Sequence, residues 1–104
     1  MDKYYIYFFP ERGKENPAIK IGYSKDPIKR LKQLQTGSSI RIGSEGWLYV
    51  GENESLAREV EDVFHKGFKK HRIRENGEWF TYTDSIKSSI EKMLRNKEFT
   101  RYFE

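Results

Sequence analysis

Lys20, Lys25, Lys29, Arg30 and Lys32 fall within the nineteen residues IKIGYSKDPIKRLKQLQTG, whose one acid is Asp26. A concentration of cations like this is either a solvated helix face or one wall of a site for a polyanion. Arg30 stands apart from the lysines, because a planar guanidinium matches the oxygens of a phosphate better than a point charge does. It also flanks the apolar positions Leu31 and Leu34, so packing would hold it in part. Farther on, Glu61 falls at the edge of a run of apolar residues with helical spacing. A carboxylate placed there is positioned by the core yet can reach a cleft, as a ligand to a hard cation must. His65 follows one helical turn later, either as an ordinary surface partner of Glu61 or as part of the same site. Phosphodiester cleavage needs charge stabilised on the phosphate, an activated water and a metal or acid at the leaving oxygen. Residues of the first and third kinds are present.

The elements that would carry these residues are legible in the pattern. YYIYFF at 4–9 is aromatic and β-branched and stops at Pro10, which reads as a buried strand. AIKIGY at 18–23 alternates Ile19, Ile21 and Tyr23 with Lys20, a second strand and a hairpin partner for the first. Asp26 as N-cap, Pro27 at the first helical position and Gly37 at the end frame a helix with Ile28, Leu31, Leu34 and Gln35 inward. WLYVG at 47–51 is a third strand. Leu56, Val60, Val63, Phe64, Gly67 and Phe68 predict a helix running to about residue 70. Asn76-Gly77 is a turn signal, EWFTYT a short strand or extended segment, and Asp84 a cap for a last helix facing inward with Ile86, Ile90, Met93 and Leu94. Phe99, Tyr102 and Phe103 at helical spacing predict a tail docked on the core. The expected fold is a mixed α/β or α+β domain over residues 1–104, built on a small sheet.

Composition sets the outer limits. The 36% of hydrophobic residues is low, but 15% aromatics lift the chain out of the disordered class despite 35% charged residues. With no cysteine and two histidines, disulfides and the usual structural zinc sites are excluded. No apolar run is long enough to span a bilayer and the amino terminus lacks a signal-peptide pattern, so a cytoplasmic protein with no membrane partner is expected. The net charge of +4 is weak evidence for nucleic acid. Its distribution is better evidence, because cations gather at 20–32 and 66–74 and acids at 45–62, leaving a positive face.

In order along the chain stand YIY at 5–7, KIG at 20–22, Arg30 on the next helix, EDVFH from Glu61, and GEWF at 77–80. Together these resemble the GIY-YIG nuclease superfamily, and more closely its phage-type branch with a KIG second motif and a terminal GEWF. The resemblance covers about residues 4–83. It implies a three-stranded sheet flanked by helices and a one-metal phosphodiester hydrolase that uses Mg2+ or Mn2+. Tyr7 would match the tyrosine of the first motif and Gly22 the glycine where backbone approaches substrate. Arg30 would match the arginine on the scissile phosphate, and Glu61 the metal ligand. The family's second motif normally opens with a tyrosine that activates water, and here that place is Lys20. Lys20 could hold phosphate or lower the pKa of a neighbouring phenol. That leaves Tyr7 and Tyr23 as candidate bases, while His65 enters the site only as the neighbour of Glu61 one turn on.

The function expected from the sequence is a metal-dependent endonuclease on DNA, with RNA not excluded. Lys25, Lys29 and Lys32 would contact flanking phosphates, and a homodimer or a targeting partner would supply double-strand cutting or specificity. Two alternatives remain open: a catalytically silent nucleic-acid-binding module, and a domain whose basic face meets an acidic protein. A phage or mobile-element setting follows from the resemblance alone.

Overall fold

The computed structural model describes residues 2–74 and 77–96 and the backbone of 101–102. Its elements run β1 (Tyr4–Pro10), β2 (Ala18–Ser24), α1 (Pro27–Thr36), β3 (Gly46–Gly51), α2 (Glu54–Gly67), a 3-10 turn (Lys69–His71), β4 (Trp79–Thr81), α3 (Asp84–Arg95) and β5 (Arg101–Tyr102). The sheet has five strands rather than three, in the order β4-β2-β1-β3-β5, all paired antiparallel. β1 lies at its centre and is buried on both faces, which is why it reads as an unbroken apolar run. The two added strands are three and two residues long. The first is the short strand expected within EWFTYT, and the second, in the tail, depends on a partner that local pattern cannot supply.

Two clusters fill the faces of the sheet. On one, Ile6, Phe8, Ile21, Leu48 and Phe80 pack with Ile86, Ile90 and Leu94 of α3 and, from α2, with Val60, Phe64 and Phe68. On the other, Tyr7, Phe9 and Trp47 pack beneath Leu31 and Leu34 of α1, with Trp79 beside them. The caps predicted for α1 are present: Asp26 accepts from the Lys29 N–H and Pro27 opens the helix. For α3 the cap is Thr83, whose side chain accepts from the Ile86 N–H, and Asp84 is the first helical residue instead.

Three inward assignments change. Ile28 is 40% exposed, and Pro27 packs inward in its place. Leu56 and Val63 are 45% and 68% exposed, because α2 is rotated so that Ala57 and His65 are its buried residues. α2 also stops at Gly67, with the 3-10 turn after it. Of the tail, Arg101–Tyr102 forms a strand against β3 rather than helix, while Phe99 and Phe103 lie outside the described residues, as does Asn76.

The rotation of α2 solves a problem at the edge of β2. β4 pairs with Ala18, Ile19 and Lys20 and extends one bond farther, from the Ile21 N–H to the Glu78 carbonyl at 3.0 Å. Beyond that, β2 has outward-facing backbone groups and no strand to meet them. Two side chains of α2 do so. The Tyr23 N–H donates to Glu61 Oε2 at 3.1 Å, and His65 Nε2 stands 2.7 Å from the Ile21 carbonyl oxygen. One helical turn, about 6 Å, nearly matches two residues of strand, about 6.7 Å. Glu61 and His65 thus act as a surrogate strand.

His65 is held on its other side by Arg72, whose Nη2 is 3.1 Å from Nδ1. A guanidinium only donates, so Nδ1 accepts and the ring proton sits on Nε2, aimed at Ile21. His65→Leu would leave both the Ile21 carbonyl and the guanidinium without their partner. A loss of about 1–3 kcal/mol is expected in urea unfolding, with His65→Gln recovering part of it.

Candidate active site

Four elements deliver side chains to one end of β2. In the β1–β2 ladder Tyr7 lies opposite Gly22 and Phe9 opposite Lys20, so Tyr7, Gly22 and Lys20 share the α1 face. Tyr7 is buried and its ring stacks on Phe9 with centroids 4.3 Å apart. A Cβ built on Gly22 would fall 2.5 Å from the Tyr7 hydroxyl and 2.7 Å from Glu78 Oε1. The missing side chain at 22 is therefore the space in which a phenol and a carboxylate meet.

The Arg30 guanidinium, carried by α1, lies near enough to the Tyr7 hydroxyl to favour its ionised form. Burial pushes the Tyr7 phenol up to about 12, and the Glu78 and Glu61 carboxylates add to this against the pull of Arg30. Tyr7 therefore keeps its proton at neutral pH. Lys20 is buried, and its ammonium lies 5.5 Å from the centroid of the Trp79 ring, a cation–π contact. Glu61 is raised above the usual carboxylate range, first by burial and then by Glu78, while His65, the Tyr23 N–H and Lys20 act in the opposite sense.

Tyr7, Lys20, Gly22, Arg30 and Glu61 are thus brought together. Tyr23 contributes its backbone alone. Its hydroxyl is turned toward the start of α2, donating to Glu54 at 3.1 Å and accepting from Arg58 at 3.4 Å. His65 is buried behind Glu61, fixing β2. Lys25 is exposed and pairs with Asp2 at 3.6 Å, and Lys29 and Lys32 are exposed on α1.

A family model, the T5orf172 domain, matches residues 4–98. The chain belongs to the T5orf172 domain family. No curated protein and no solved structure gives a match. The T5orf172 domain is GIY-YIG-like and associated with phage-type endonucleases, consistent with a nuclease-like or DNA-binding module.

Whether a T5orf172 site of this shape fits a divalent cation can be judged from its donors. Glu61 is a half-buried carboxylate with one oxygen engaged by the Tyr23 N–H, and it is crowded by a second carboxylate whose repulsion a cation would relieve. Among the described residues no group of three or more His, Cys, Asp or Glu could enclose a metal. Mg2+ does not need such a cage, since it keeps several waters and binds through one or two carboxylates plus substrate phosphate. The residues fit on those terms. Among the described residues no helix is long and apolar enough to cross a membrane.

Glu78 was not among the site residues expected from the sequence, where it stood only within GEWF. Among the described residues its carboxylate makes no ion pair, and it reaches over Gly22 into the cluster. The signal available was its place in GEWF, directly before the tryptophan that supports Lys20.

Proposed function

We propose that this protein is a divalent-metal-dependent endonuclease of the GIY-YIG type that hydrolyses DNA phosphodiester bonds in the cytoplasm. The observation that carries this reading is the gathering of Arg30, Lys20 and Tyr7 against Glu61 around one glycine. Arg30 and Lys20 bind the scissile phosphate, and a phenol that keeps its proton orients the guanidinium. Glu61 would hold Mg2+ or Mn2+, which when bound supplies Lewis-acid stabilisation of the developing charge. Lys25, Lys29 and Lys32 contact flanking phosphates.

The test is nicking of supercoiled plasmid with Mg2+ or Mn2+, with and without EDTA. Metal-dependent nicking is expected, with loss of about 10²-fold or more in Arg30→Ala. A second reading, the silent nucleic-acid-binding module, is favoured by one observation: burial pushes the Tyr7 phenol up to about 12, and the Tyr23 hydroxyl is turned away to Glu54. It would bind DNA with a steep salt dependence and cut nothing in any metal.

A further inference from the structure

The site lacks an assigned proton acceptor, and the candidates named from the sequence are engaged otherwise. Tyr7 is a donor locked in the core by stacking on Phe9. The Tyr23 hydroxyl faces Glu54 and Arg58. Lys20 presents an ammonium to Trp79, and an ammonium has no lone pair to offer. His65 has both nitrogens committed, to Ile21 and Arg72. Of the two carboxylates in the cluster, Glu61 is tied by one oxygen to the Tyr23 N–H.

Glu78 is different. Half-buried and without an ion pair among the described residues, it sets Oε1 over Gly22, on the same side as the Tyr7 hydroxyl. Its position is fixed by backbone rather than by a competing salt bridge. The Glu78 carbonyl accepts from the Ile21 N–H at 3.0 Å, and the preceding Gly77 carbonyl accepts from Arg72 Nε at 2.8 Å. The backbone that carries the side chain is therefore anchored, while the carboxylate at its end can adjust and has its oxygens available, as a proton acceptor requires.

Resting on the nuclease reading above, we propose that Glu78 is the general base of the reaction, taking the place left by the lysine at position 20. Water attacks phosphorus and passes its proton to the Glu78 carboxylate as the new P–O bond forms. The bond from phosphorus to the leaving sugar oxygen breaks, that oxygen takes a proton from solvent, and Glu78 returns its proton to solvent. Arg30 and Lys20 hold the phosphate between the two carboxylates, so that the attacking water lies on the Glu78 side.

The experiment is single-turnover nicking of saturating plasmid DNA by wild type, Glu78→Gln and Glu78→Ala, with formate added to the last. At saturating Mn2+, Glu78→Gln is expected to lose about 10²- to 10⁴-fold in rate with DNA affinity unchanged and the protein folded. Formate, but not chloride at equal ionic strength, should restore part of the Glu78→Ala rate in proportion to its concentration. A full rate in Glu78→Gln overturns the inference. So does a loss explained by weaker DNA or Mn2+ binding, or a formate series that restores nothing. If wild type itself cuts nothing in any metal, the nuclease reading fails first and this inference with it; an active wild type beside an active Glu78→Gln sinks the inference alone.

Discussion

Glu61→Gln is expected to lower metal-dependent nicking by about 10³-fold or more while leaving DNA binding intact. Glutamine keeps the shape of the side chain and an oxygen that can accept from the Tyr23 N–H, so the surrogate-strand contact on β2 survives. What is lost is the negative charge that a hard cation needs. A second readout separates this from misfolding. The folded protein raises Glu61 above its ordinary value of 4.5, by burial and by Glu78, so its ionised form costs stability. That cost is absent below pH 4.5 and grows as pH rises through the raised folded value. Metal-free Glu61→Gln should therefore melt at or above the wild-type temperature at neutral pH, with the gap closing in acid. Mn2+ should raise the wild-type melting temperature, by an amount equivalent to about 2.7 kcal/mol at a hundredfold excess over Kd, and leave Glu61→Gln unmoved. Melting curves at several pH values, with and without Mn2+, decide the point. An equal Mn2+ shift in both proteins would remove Glu61 from the metal site.

Gly22→Ala is expected to damage stability and activity together. The added methyl would sit 2.5 Å from the Tyr7 hydroxyl and 2.7 Å from Tyr7 Cζ, distances no real contact tolerates. Glu78 Oε1, also at 2.7 Å, is the end of a flexible chain and can withdraw. Tyr7 cannot, because its ring is buried and stacked on Phe9. Relief must come from shifts of β1 against β2, and overpacking of that kind costs about 1–3 kcal/mol. Displacing the phenol also moves Arg30 and Glu78, so nicking should fall by about 10²-fold or more even at temperatures where the variant is folded. Gly67→Ala is the control. It lies at the end of α2 with open space where the methyl would go, and alanine there should be neutral or stabilising by up to about 1 kcal/mol. Urea unfolding and nicking of both variants test the pair, and a wild-type nicking rate in Gly22→Ala would contradict the crowded-site geometry.

Local chemistry carried a large part of this structure on its own. Asp26 and Pro27 start α1 because a side-chain acceptor and a fixed φ meet the needs of a helix terminus without any tertiary help. β1 was legible because YYIYFF has no polar position to turn toward solvent. The motif order placed Tyr7, Gly22, Arg30 and Glu61 in one site, and the structure brings those four together around β2.

Tertiary structure decided the rest. Periodicity cannot choose the rotation of a helix that has apolar residues on more than one side, so Leu56 and Val63 counted as core although both are exposed. The face that won carries Glu61 and His65, because the edge of β2 past Lys20 needs an acceptor and a donor, and α2 is what lies beside it. A buried strand's unmet hydrogen bonds outweigh one more half-covered leucine. The same holds for Tyr23, whose alternation put it on β2 but could not say that Glu54 and Arg58 would take its hydroxyl. Glu78 sits directly before β4, and the pairing of that strand with β2 is what brings its carboxylate over Gly22. A sequence states which groups a chain owns and which local elements they ride on. Where hydrogen-bonding groups are left over at an edge, and which side chains turn to meet them, is settled only when the elements assemble.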